Sequence, residues 1–147
     1  MEVRTWPRTA WLTIVGACLT LLWACSPAPA TPSGHVVDLT LKDFDITAST
    51  TRTDPGKVVF HVTNDAPVTH EFVVVRTDLP DDQLPIGSDG LSADEERLDV
   101  VDEIPDLPAG AVQDLTLDLA AGRYVFFCNL EGHYLGGMHG TVVVAGA

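Results

Sequence analysis

From residue 35 onward the chain alternates. The run VVDLTL sets Val37, Leu39 and Leu41 against Asp38 and Thr40, and DLTLDL sets Leu115, Leu117 and Leu119 against Asp114, Thr116 and Asp118. A period of two sends alternate side chains to opposite faces, so each run predicts a strand with one buried and one wet side. KVVFHVTN, HEFVVV, RYVFFC and GTVVVA are rich in branched and aromatic residues and also read as strands, and FDIT adds a short one. Gly, Pro, Asn and Asp bound most of these runs. About seven short strands with almost no helical periodicity predict an all-β domain, an antiparallel Greek-key β-sandwich or barrel.

One segment interrupts the rhythm. RTDLPDDQLPIGSDGLSADEERLDVVDEIPDLPAG, residues 76–110, reads as a long acidic insertion connecting two strands. Within it SADEERL offers Ser92 as an N-cap with Glu95 three residues on, the signature of a short helix.

The first residues have a different character. Arg4 and Arg8 precede an apolar run from Ala10 to Ala24, shorter than the roughly 20 residues of a spanning helix, which predicts a cleavable export signal over 1–24. The end of that run, LLWAC, resembles the lipobox of bacterial lipoproteins, with Leu22 and Ala24 before Cys25. The resemblance implies that Cys25 carries a lipid. SPAPATPSG then reads as a Pro/Ala/Ser tether, so that residues 25–34 hold the folded domain, 35–147, off a membrane surface.

Charge and cysteine count narrow the function. With Glu2, Arg4 and Arg8 removed alongside the signal, 20 acids face 6 bases, 11 of the acids lying between Asp78 and Asp106. A net charge near −14 excludes nucleic acid as a partner and leaves membrane attachment to the lipid alone. Cys18 lies in the signal and Cys25 at the lipidated terminus, so only Cys128 belongs to the domain and no disulfide can form within it. A lone thiol in an oxidising compartment calls for burial or a bound partner.

The stretch FFCNLEGHYLGGMHG supplies the partner's chemistry. Alternation puts Tyr124, Phe126 and Cys128 on one face and Val125 and Phe127 on the other, with Cys128 at the end of its strand. Gly132, Gly136, Gly137 and Gly140 permit a tight loop that turns His133 and Met138 back toward the sulfur. Thiolate, imidazole and thioether together suit copper, and one more imidazole would complete a His2Cys set with a weak axial Met. His70, heading the strand HEFVVV after a Pro-containing turn, is the candidate.

The order His, Cys-x4-His-x4-Met between the last strands resembles the cupredoxins, the type 1 blue-copper proteins, in their plastocyanin- and sulfocyanin-like bacterial branch. The resemblance spans residues 35 to 147. It implies one copper ion held by His70, Cys128, His133 and Met138 and used for one-electron transfer rather than enzymatic turnover. Many members carry Asn after the first His, tying the two ligand loops together. Here that position is Glu71, and Asn129 offers part of the same bracing.

The other histidines fit plainer roles, His35 solvated beside the tether, His61 within a strand, and His139 pointing away from Met138. A dinuclear copper centre would need a second loop cysteine where Gly132 stands. Oxygen-reducing copper clusters need His-x-His pairs, which are absent. Zinc rarely takes Met. The reading is an exported, membrane-anchored lipoprotein of the periplasmic or extracellular face. It would exchange electrons with a redox protein, such as a basic c-type cytochrome or a membrane oxidoreductase. Capture or delivery of copper in metal homeostasis would use the same ligands and stays open.

Overall fold

The computed structural model describes residues 34–146. The expected signal, Cys25 and the tether up to residue 33 lie outside the described residues. Nine strands form two sheets that pack face to face, and the only helical element among the described residues is one 3₁₀ turn, Glu95–Arg97.

One sheet runs β2 (Asp45–Ala48), β1 (His35–Lys42), β4 (Gly56–Asn64), β7 (Val112–Leu119). The other runs β3 (Arg52–Thr53), β9 (His139–Val144), β8 (Gly122–Phe127), β5 (His70–Arg76), β6 (Asp99–Leu107). The alternating runs behave as their pattern dictates. Val37, Leu39 and Leu41 of β1 and Leu115, Leu117 and Leu119 of β7 point into the core with Val58, Phe60 and Val62 of β4. Phe72, Val74, Tyr124, Phe126, Val142 and Val144 meet them from the opposite sheet. Each such side chain stabilises the fold by about 1.5–3 kcal/mol relative to leaving it in water.

Three expectations need correction. The sheets are mixed rather than purely antiparallel, because β1 pairs β4 in parallel and β3 pairs β9 in parallel. The strand number is nine because β3 is a two-residue edge piece and because the acidic insertion contains β6. β6 is an edge strand on which Ile104 and Leu107 are the buried residues, and it slips register twice against β5. One slip lies between Ile104 and Leu107, where Pro105 sits and no ladder donor is needed. Finally, the helix expected from Ser92 shrinks to the 3₁₀ turn, with Asp94 at its N-cap and no side-chain capping bond. Ser92 instead donates its N–H to Asp89 Oδ1 at 3.2 Å.

The rest of the insertion covers the outer face of the second sheet. Val73, Val75, Val125 and Phe127 form a second buried cluster with Leu84, Ala93 and Tyr134. Burial on both faces explains why HEFVVV and RYVFFC read as continuous apolar runs. It also places the acidic segment against the two strands that end at the candidate site.

Candidate metal centre

His70 opens β5, Cys128 directly follows β8, and the chain from Asn129 to Met138 loops back to β9. These ends meet at one pole of the sandwich. Ligand-type atoms of His70, Cys128 and His133 all lie within 4.8 Å of one another. Cys128 Sγ is 3.4 Å from His133 Nδ1 and 3.8 Å from His70 Nδ1, and the two Nδ1 atoms are 3.2 Å apart. Met138 is fully buried in the same core cluster as Cys128, and its carbonyl accepts the Cys128 N–H at 3.0 Å.

The loop geometry follows from its glycines. Gly132 and Gly137 take φ of 78° and 115°, conformations that side chains disfavour. A Cβ at Gly136 would clash with the Phe44 ring. Between them His133 accepts the Met138 N–H at 3.1 Å on its carbonyl, closing a turn that carries both side chains inward. His70 is delivered by a second device. Asn64, fully buried, donates Nδ2 to the carbonyls of Val68 (2.8 Å) and Leu107 (2.7 Å) and accepts the Ala66 N–H at 3.0 Å. That lattice fixes the turn before β5. The sequence marks Asn64 only as a turn residue.

Burial keeps Cys128 and His70 uncharged. Burial pushes the Cys128 thiol up, and the N–H groups of Glu71 and Leu130 only partly counter it. The Glu71 N–H reaches Sγ at 3.3 Å. A buried thiol held protonated is a poor nucleophile but becomes a thiolate when a metal displaces the proton. Burial, then His133, hold the His70 imidazole below its usual value, with Asp43 acting the other way. His70 is therefore neutral, with a ring lone pair to offer. Two imidazole nitrogens and a soft sulfur, walled in by apolar side chains, fit copper by donor type.

The remaining candidates separate cleanly. Glu71 is not placed like a ligand. Burial, then Glu95 and Glu103, raise its carboxyl, while the backbone N–H of Asn129 pulls it back. The Asn129 side chain turns the other way, to Ala93 and Glu95 of the acidic insertion. It ties the Cys128 loop to that insertion rather than to the His70 turn. His139 pairs with Asp81 at 3.0 Å, away from the pocket, and His61 pairs with Asp114 on the outer face of the first sheet. Tyr134, which the sequence does not single out, accepts the Leu84 N–H and donates to the Asp81 carbonyl. Asp43 and Phe44 of the β1–β2 turn also reach the site, with no signal in the sequence to find them.

The family of copper binding proteins of the plastocyanin/azurin type matches residues 35–145, and the chain belongs to that family. Among solved structures, dithionite-reduced auracyanin from the photosynthetic bacterium Roseiflexus castenholzii matches with a TM-score of 0.58 and 20% identity, covering 77% of this chain and 98% of its own. Auracyanin A, a "blue" copper protein from Chloroflexus aurantiacus, matches with a TM-score of 0.50 and 22% identity over 74% of this chain and 97% of its own. Reduced rusticyanin matches with a TM-score of 0.51 and 20% identity over 76% and 81%. These likenesses show the cupredoxin fold. No curated protein matches the chain.

Proposed function

We propose that this protein is a one-electron carrier whose copper is held by His70, Cys128, His133 and Met138. The observation that carries the reading is the convergence of His70, Cys128 and His133 within 4.8 Å at one pole of a sandwich in a copper-binding family. Bound copper would supply a Cu(II)/Cu(I) couple. The chain's own contribution is a rigid frame. His70, Cys128 and Met138 are fully buried at the ends of three neighbouring strands of the five-stranded sheet, so little can move when charge changes.

His133 is the member of the set that approaches solvent. Phe44, 56% exposed, stacks its edge on His133, and Leu135, 54% exposed, lies in the same loop. That apolar surface is where a redox partner would approach, and the acids of the insertion would favour a basic one such as a c-type cytochrome. Export and a lipid on Cys25 would place the exchange at a membrane surface, and detergent partitioning of Cys25→Ala against the parent tests that placement.

The functional test is a Cu(II) titration of the full-length protein. An intense visible band that disappears in Cys128→Ser, with a reversible one-electron electrode response, is expected. A Cu(I) complex that shows no reversible response but passes its metal to an apo-protein would replace transfer with copper delivery.

A further inference from the structure

The turn between β1 and β2 belongs to the four-stranded sheet, yet it reaches across to the site built on the other sheet. Phe44 occupies it with φ at 60°, the only non-glycine residue among those described with positive φ. Left-handed backbone costs an L-residue about 1–2 kcal/mol, so something must hold it. The holding contacts are visible. The ring meets His133 edge-on at 5.7 Å and 64°, and it fills the space that a side chain at Gly136 would take.

The strained turn puts Asp43 Oδ1 3.5 Å from His70 Nε2. That nitrogen is the one buried side-chain nitrogen or oxygen among the described residues without a hydrogen-bond partner. Its partner atom across the ring, Nδ1, faces Cys128 Sγ and His133 Nδ1. If Nδ1 offers its lone pair to a metal, the ring proton sits on Nε2. A buried N–H left unsatisfied costs about 1–3 kcal/mol. The Asp43 carboxylate, its side chain 49% exposed, is the acceptor in range.

We propose that Asp43 is a positioning residue for the metal centre, accepting the His70 Nε2–H so that Nδ1 faces the metal with increased donor strength. This rests on the copper reading above. A carboxylate behind a metal-bound imidazole fixes its tautomer and raises its basicity, and losing such a partner typically weakens metal binding by about 10–100-fold. The more basic ligand favours Cu(II) over Cu(I).

Asp43→Asn keeps the shape and removes the charge. In the copper-loaded full-length protein it should weaken Cu(II) retention about tenfold relative to Cu(I), raising the potential by about 59 mV for one electron. Asp43→Glu, which keeps the carboxylate, should shift it less. Nitrogen-15 NMR of the metal-free parent should place the His70 proton on Nε2. An unchanged potential in Asp43→Asn beside an intact thiolate band, or a His70 proton on Nδ1, overturns the role of Asp43 alone. A parent protein that gives no thiolate band overturns the copper reading and this inference with it.

Discussion

The Asn129 side chain grips the backbone of Ala93 from both sides, accepting its N–H on Oδ1 at 2.7 Å and donating Nδ2 to its carbonyl at 3.2 Å. A third bond runs from Nδ2 to Glu95 Oε1 at 2.6 Å. The residue directly after Cys128 thereby pins the acidic insertion over the outer face of the second sheet. Asn129→Ala should lower stability by about 1–3 kcal/mol, because a partly buried backbone pair loses its partners. Denaturant melts and amide exchange at Ala93 would measure both effects. Unaltered exchange would mean that the cluster around Leu84 and Tyr134 holds the insertion without this bridge.

That bridge also shows where the sequence stops being legible. Chain order and spacing single out Cys128, His133 and Met138 as candidates because their loop is local and its glycines are explicit, and His70 because it heads a strand after a turn. The face assignment of RYVFFC is equally local, and the structure divides Tyr124 and Phe126 from Val125 and Phe127 as the period of two demands. β6 is different. Its bulge separates the buried Ile104 and Leu107 by three positions, which breaks the alternation that identifies strands. The parallel pairing of β1 with β4 has no local mark, since it depends on which distant runs become neighbours. Asp43 is one acid among many until the fold brings its turn up to His70.

Met138 tests the proposed axial position. Met138→Leu conserves volume in a fully buried site and should cost less than about 1.5 kcal/mol of stability. Colour should persist, since the thiolate is untouched. The potential should rise by on the order of 59 mV, a tenfold change in preference, because a sulfur donor that helps Cu(II) is replaced by hydrocarbon. Voltammetry showing no change would remove Met138 from the copper's surroundings.

Asp81 gives the fold an acid sensitivity. Burial alone would push its carboxyl up, but the hydrogen bond and charge of His139, with Arg123 nearby at 3.7 Å, leave it below the ordinary value. A depressed carboxyl stabilises the fold above its unfolded value of about 3.9 and loses that contribution as pH falls through the folded one. Asp81→Asn should therefore unfold at lower urea than the parent at pH 6, with the gap narrowing below about pH 4. A gap that stays constant through that range would assign the effect to packing instead.

The acids of the insertion bear on partner choice. Glu95 is committed to Asn129, but Glu96, Glu103 and Asp106 are exposed, and Glu103 and Asp106 lie close enough to Glu71 to raise its carboxyl. Glu71 is next to His70, so part of this field sits at the rim of the site. A basic cytochrome should be drawn toward that rim, and the attraction should weaken as salt rises, since exposed charges are screened over about 10 Å at 0.1 M. Glu96→Gln, Glu103→Gln and Asp106→Asn together should slow electron transfer to such a partner severalfold at low ionic strength and leave the high-salt rate unchanged. Stopped-flow mixing of the copper-loaded protein with the cytochrome over a salt series reads both limits. Rates independent of salt in the parent, or a triple variant that follows the parent across the series, would reduce the acidic face to a solvated surface and leave the apolar rim of Phe44 and Leu135 as the sole guide to docking.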